Sequence, residues 1–355
     1  MIDDRDLFER AVRWFPPPER SFDRLISRRA RKRRNQRLAA GAVGLAIIAL
    51  AAVLVGTNIL RADKAIPVEQ PPVVHNGDIT IFGYAEGLRS LSLDGRQERS
   101  LVECRGSCTE VSSAAWSPNG TQVAFSASCA GGCGSFGDPY HGIRVVDLAT
   151  RDDRLVVSGE FFSSLDWSPD GSRISYVDDG RIHIVDADGS NPTAVPGTSH
   201  PVVTASWSPD GRRFVYASDG GLSVIGVDGS DPTPLVPSTH PGVFSPAWSP
   251  DGDEIAYRTG CDVWIATPDG MPRTRLANLR SIMPDARCGP VPSWSEDNEL
   301  AWSPDGQRIA LFEDPRSFDH SQQVVLIDAD GSNVRVLSRL DKRFGYRGLA
   351  WQPVP

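Results

Sequence analysis

Five copies of one pentapeptide constrain this chain more than any other feature. They are Trp116-Ser117-Pro118-Asn119-Gly120, Trp167-Ser168-Pro169-Asp170-Gly171, Trp207-Ser208-Pro209-Asp210-Gly211, Trp248-Ser249-Pro250-Asp251-Gly252 and Trp302-Ser303-Pro304-Asp305-Gly306. Their tryptophans lie 51, 40, 41 and 54 residues apart. A supersecondary unit repeated at about 40–50 residues is a propeller blade or a solenoid turn. The motif itself is a turn. Ser caps its first position, Pro sets φ at the second, Asp suits the third and Gly relieves strain at the fourth. A strand therefore enters through each Trp, and another leaves after each Gly. The segments after Gly, such as Gln122-Val123-Ala124-Phe125 and Glu254-Ile255-Ala256-Tyr257, are short, alternating and rich in β-formers.

A second turn follows in most repeats: Asp188-Gly189-Ser190, Asp228-Gly229-Ser230, Asp269-Gly270 and Asp330-Gly331-Ser332. Asp-Gly between alternating segments signals a hairpin. The second repeat departs, with Ala149-Thr150-Arg151-Asp152 at that place. The pattern predicts an all-β, six-bladed propeller. Five blades fall near 112–157, 163–197, 203–236, 244–277 and 297–338. The first, over 78–103, has no Trp-Ser-Pro strand before it, but the chain end supplies one around Trp351. Pairing the two closes the ring and removes exposed sheet edges. Small residues precede the motif tryptophans at Ala115, Ser206, Ala247, Ala301 and Ala350, as crowding at a central axis requires. Asp166 stands there in the third blade and is the candidate polar group of a central channel or of a contact between blades.

Net charge is −8, but residues 1–65 hold 14 Lys and Arg against 7 Asp and Glu. The remainder is therefore acidic, which argues against nucleic acid as a partner. Residues 1–37 read as a cytoplasmic basic tail with short helical segments; eight basic residues and no acid lie between Arg24 and Arg37. Leu38 to Leu60 are 23 residues without a formal charge, enough to span a hydrocarbon core of about 30 Å. The segment is too long for the apolar core of a cleaved signal peptide, and Ala62-Asp63-Lys64-Ala65 makes a poor cleavage site. An uncleaved anchor in the cytoplasmic membrane is favoured, with the N-terminus inside and the propeller outside. Residues 61–77, with Pro67, Pro71 and Pro72, form an extended linker.

Six cysteines fall into Cys104 with Cys108, Cys129 with Cys133, and Cys261 with Cys288. Outside the cytoplasm, an even number points to disulfides, with local or crossed pairing of the first four left open. Zinc is the weaker reading, because no His stands at finger spacing. No metal or cofactor is expected. In a four-strand blade the first and third turns share one face, and the other face receives the second loop and the connection to the next blade. The long segments 104–110, 128–142, 277–293 and 314–322 all belong to this second face, where long loops are commonly functional. Its candidate contact residues are Phe136, Tyr140, His141, Phe312, Arg316, Phe318 and His320, aromatic and Arg side chains being common at binding hot spots.

The Trp-Ser-Pro-Asp-Gly turn, the Ile-Ala-Tyr-type strand after it and the Asp-x-Asp-Gly-Ser turn together resemble the propeller repeats of the TolB family and related WD-type repeats. The resemblance covers about residues 78–355. It implies a six-bladed propeller that binds proteins on one face; a basic tail and an apolar segment stand where that family has a globular domain. The same repeats resemble propellers of prolyl oligopeptidases, but the chain has no Gly-x-Ser-x-Gly elbow. The function expected is a membrane-anchored, extracytoplasmic module that binds a protein or cell-envelope ligand and relays its state to a cytoplasmic partner. The rival is a hydrolase or lyase at the channel mouth, using Asp166, His141 and His320.

Overall fold

The computed structural model describes residues 75–83, 87–95, 98–102, 110–128, 141–159, 162–198, 201–237, 242–271, 273–281, 300–313, 322–340 and 346–354. The expected tail 1–37, the apolar segment 38–60 and most of the linker 61–77 lie outside these residues. Among the described residues no helix is long and apolar enough to cross a membrane, and the one helical turn is the 3-10 segment Leu279–Ser281.

The strands run in chain order, and consecutive strands form antiparallel blades. The first blade contains β1 (His75–Gly83), β2 (Gly87–Leu91) and β3 (Glu98–Val102). The second contains β4 (Glu110–Trp116), β5 (Gln122–Ser128), β6 (Gly142–Asp147) and β7 (Asp153–Ser158). The third is β8 (Ser163–Trp167), β9 (Arg173–Asp178), β10 (Arg181–Asp186) and the two-residue β11 (Thr193–Ala194). The fourth is β12 (Val202–Trp207), β13 (Arg213–Ser218), β14 (Gly221–Gly226) and β15 (Thr233–Pro237). The fifth is β16 (Val243–Trp248), β17 (Ile255–Thr259), β18 (Asp262–Ala266) and β19 (Thr274–Asn278). The sixth is β20 (Leu300–Trp302), β21 (Arg308–Glu313), β22 (Gln323–Asp328) and β23 (Arg335–Arg339). The last strand, β24 (Tyr346–Val354), joins the first blade, giving six four-stranded sheets.

This last pairing closes the ring. Ile79 lies opposite Trp351, Thr80 opposite Ala350, Ile81 opposite Leu349 and Phe82 opposite Gly348. The first residues of β24 are tied to three blades. The Tyr346 amide donates to Gln322 Oε1 at 2.9 Å, and its carbonyl accepts from Gln322 Nε2 at 2.8 Å. Its hydroxyl donates to Glu98 Oε1 at 2.9 Å, and Arg347 Nε pairs with Glu110 Oε1 at 2.6 Å. A closed disc replaces the solenoid alternative.

The repeated pentapeptide is the turn that its residues suggest. In every copy the Gly amide donates to the Ser carbonyl at 2.8–2.9 Å. The Ser hydroxyl accepts the amide five residues on, at 2.8–2.9 Å, and donates to the Asp or Asn side chain at 2.6–2.7 Å. Gly306 has φ 67, a left-handed value that favours Gly.

Each Trp packs against the blade before it. Trp116 clusters with Phe82 and Leu88, Trp167 with Ala124 and Ile143, and Trp207 with Val177 and Ile182. Trp248, Trp302 and Trp351 pack likewise on the fourth, fifth and sixth blades. The core is thus six interblade layers, because every sheet has a neighbour on both faces. Several indoles add a hydrogen bond backward: Trp116 Nε1 to Thr80 Oγ1 at 2.9 Å, Trp167 Nε1 to the Ala115 carbonyl at 3.1 Å, and Trp302 Nε1 to the Ala247 carbonyl at 3.2 Å.

Large-to-small changes at buried Trp cost about 3–5 kcal/mol. Trp351→Ala should therefore lower the unfolding free energy by about that amount in urea melts followed by tryptophan fluorescence and circular dichroism. A change under about 1 kcal/mol would contradict closure through this residue.

Candidate functional site

Two features of the disc could serve function: the cavity on its axis and the face that carries the long connections. The cavity is about 290 Å³. Its wall is built from the inner strands of all six blades, and the residue before each motif Trp lines it: Ala115, Asp166, Ser206, Ala247, Ala301 and Ala350. Pro250, Pro304 and Pro353 also line it, so it reaches the turn-bearing face. Small side chains keep this space open where six strands converge.

Among the described residues Asp166 is the single ionisable side chain of that wall. Its Oδ1 accepts the Trp167 amide and its Oδ2 the Trp207 amide, each at 2.9 Å. It thereby joins β8 to β12 of the next blade. Burial pushes its pKa up to about 6, against the opposing pull of these amides and the Ser206 hydroxyl. Desolvation of the charged form outweighs three hydrogen bonds to it.

Neighbouring hydroxyls add stitches that sequence reading missed. Ser113 Oγ accepts the Leu165 amide at 2.9 Å. Ser164 Oγ accepts the Ala205 amide at 2.7 Å and donates to its carbonyl at 3.0 Å. A hydroxyl three residues before Trp recurs at Ser113, Ser164, Thr204 and Ser245, which was the available signal.

The opposite face is set by connectivity. The links from β3 to β4, β5 to β6, β19 to β20 and β21 to β22 all leave from the strand ends away from the pentapeptide turns. Beneath the last two, Arg258 Nη2 of β17 pairs with Glu313 Oε1 of β21, both side chains being buried, and the guanidinium lies 5.1 Å from the Phe244 ring centroid. This bond between the fifth and sixth blades was also missed. Its signal is an Arg at a strand position that holds Val177, Ala217 and Phe312 in other blades.

The residues expected on this face are divided. Phe136, Tyr140, Arg316, Phe318 and His320 lie outside the described residues, as do Cys104, Cys108, Cys129, Cys133 and Cys288. Phe312 is corrected to a core residue: it is 2% exposed, inside β21, and packs with Ile79 and Leu349 between the sixth and first blades. His141 is also buried, at the entry to β6, so it offers no exposed contact surface. Strand direction places His141 at the loop-bearing end of a middle strand and Asp166 at the turn-bearing end of an inner one. Two of the three groups expected for hydrolysis, Asp166 and His141, are therefore not brought together, and the third, His320, lies outside the described residues. Cys261 is buried beside the turn into β18 and is not a free thiol. Among the described residues no group of three or more His, Cys, Asp or Glu gathers to hold a metal.

No protein-family model and no curated protein matches the sequence. Solved structures do match. TolB from Acinetobacter baumannii is 18% identical over 78% of this chain, with a TM-score of 0.58. A putative TolB from Agrobacterium tumefaciens is 20% identical over 80% of this chain and 100% of its own, with a TM-score of 0.53. The fold is that of a TolB propeller. This chain spans 66% of the Acinetobacter protein's length. A chain from a nidogen/laminin complex matches as well, at 9% identity over 78% of this chain and 98% of its own, with a TM-score of 0.58. At these identities the likeness is one of fold.

The Asp166 pKa gives a pH signature with a definite sign. Its folded value, about 6, lies above its ordinary value of 3.8, so its contribution to stability is full below pH 3.8 and is lost as pH rises through 6. Asp166→Asn should therefore gain on the wild type between pH 4 and pH 7.5, by up to about 3 kcal/mol. Chemical denaturation at the two pH values measures this, and a pH-independent difference would contradict it.

Proposed function

We propose that this chain is a protein-binding module whose binding surface is the loop-bearing face of a TolB-like propeller. The asymmetry of the disc carries the reading. One face ends in short turns closed by three or more hydrogen bonds each. The other receives the connections at 103–109, 129–141, 282–299 and 314–322. A rigid ring that gathers its long connections on one side is a scaffold for recognition. The likeness to a chain taken from a complex of two proteins supports the same reading.

We also propose that residues 38–60 anchor the chain in the cytoplasmic membrane, with the basic tail inside and the propeller outside. The apolar length and the basic cluster before it support this orientation. An oxidising exterior would allow Cys261 to pair with Cys288 and brace the connection from β19 to β20. The ligand is a protein or another component of the cell envelope, and the tail relays its capture to a cytoplasmic partner.

Crosslinking followed by pull-down of the full chain tests the face. Shortening 130–140 and 283–298 together should abolish recovery of the partner that the wild type captures, while circular dichroism and melting stay near wild type. Equal recovery would refute the assignment. Protease added to intact spheroplasts should degrade the propeller and spare the tail; the reverse pattern would refute the orientation.

A further inference from the structure

The axial cavity has a composition that its structural role does not require. Six inner strands need small residues where they converge, and Ala or Ser at five of the six positions meets that need. The sixth is Asp166. Its carboxylate accepts from neutral amides, and no cationic side chain pairs with it among the described residues. A carboxylate has about four acceptor sites. The Trp167 and Trp207 amides and the Ser206 hydroxyl occupy three. Asp166 is partly exposed as a residue and lines the cavity, and by this count its carboxylate keeps about one acceptor site.

The rest of the wall fixes what can approach. Apart from Asp166 and Ser206, the lining side chains are Ala, Leu, Pro and Trp. Trp116, Trp248, Trp302 and Trp351 also line it, each with 6–8% of its surface exposed and its indole packed between blades. One carboxylate and one hydroxyl fall well short of the six to eight oxygens that calcium takes, and the carbonyls of Ala115 and Ala247 already accept indole N–H groups. A largely apolar wall around one negative charge suits an organic cation, whose charge meets the carboxylate and whose carbon surface meets the Ala, Leu and Pro side chains.

We propose that the axial cavity is a binding site for a small organic ammonium ion, with its charged nitrogen at Asp166 and its apolar part against the surrounding apolar wall. The volume, about 290 Å³, is at the lower end for ligand pockets and limits the guest to a small amine. Entry is from the turn-bearing face, past Pro250, Pro304 and Pro353. The site is thus independent of the loop-bearing face and of what binds there. Asp166 is the one titratable group among the described lining residues, which come from all six inner strands, so acid should release the guest.

Isothermal titration of the full chain in nanodiscs, with phenethylammonium and tetramethylammonium as probes, tests this. At pH 7.5 at least one probe should bind saturably, one per chain, and raise the melting temperature. Neutral phenethyl alcohol should bind at least tenfold more weakly, and so should the ammonium probe at pH 5 or with Asp166→Asn. Ala301→Leu, which fills the cavity and leaves the carboxylate intact, should abolish binding and decides the matter if the Asn variant does not fold. Calcium should not compete. The proposal is overturned if neither ammonium saturates by about 10 mM, if the alcohol or the Asn variant binds equally, if Ala301→Leu leaves binding unchanged, or if calcium displaces the probe.

Discussion

The structure depends on one antiparallel pairing between the two ends of the propeller sequence. β24 and β1 meet in register from Ile79–Trp351 to Phe82–Gly348, and this seam turns a row of five blades and a remnant into a disc. Without it, Trp351 would have no layer to fill. The cluster that holds Trp351 includes Phe312, Leu326 and Leu349, so the seam is both a hydrogen-bonded ladder and a sixth interblade core. The ion pair from Arg347 to Glu110 and the Gln322 amide at Tyr346 fix the start of that strand to the blades on either side. Burial raises the Glu110 pKa, as expected for a carboxylate enclosed at a crowded strand end.

Closure also explains why chemistry is concentrated where it is. Six inner strands brought together at one axis leave room only for small side chains before each Trp. A carboxylate in that ring lies among apolar walls, away from cations, and its pKa rises to about 6 in consequence. The exposed turn aspartates show the opposite behaviour. Asp170 accepts from the Ser168 hydroxyl and from the Ser172 amide and hydroxyl, and these bonds hold its pKa near 2. The same residue type is thus pushed in opposite directions by its surroundings, Asp166 up and Asp170 down.

Much of this was legible in the sequence because the pentapeptide fixes both a turn and a strand direction. Blade number, the borrowed strand at Trp351 and the axial place of Asp166 follow from aligning five tryptophans. What was not legible depends on packing between neighbouring blades. Phe312 reads as a loop-flanking aromatic, yet a sheet with neighbours on both faces buries most positions of its middle strands, so exposure cannot be inferred from nearness to a loop. His141, one residue before β6, is buried as well. The Arg258–Glu313 pair joins residues 55 apart in chain order, a separation at which local pattern carries no information. Ser113 and Ser164 were legible only as a recurrent hydroxyl, whose partners in the following blade appear once the ring is assembled.

Hydrogen exchange read by mass spectrometry tests the seam most directly. Amides of 346–354 and of 75–83 should exchange together, as slowly as the inner strands of the other blades, since they open only when the whole ring opens. Fast exchange over 346–354 while residues 202–226 remain protected would show an unsealed propeller, and the closed disc would have to be abandoned.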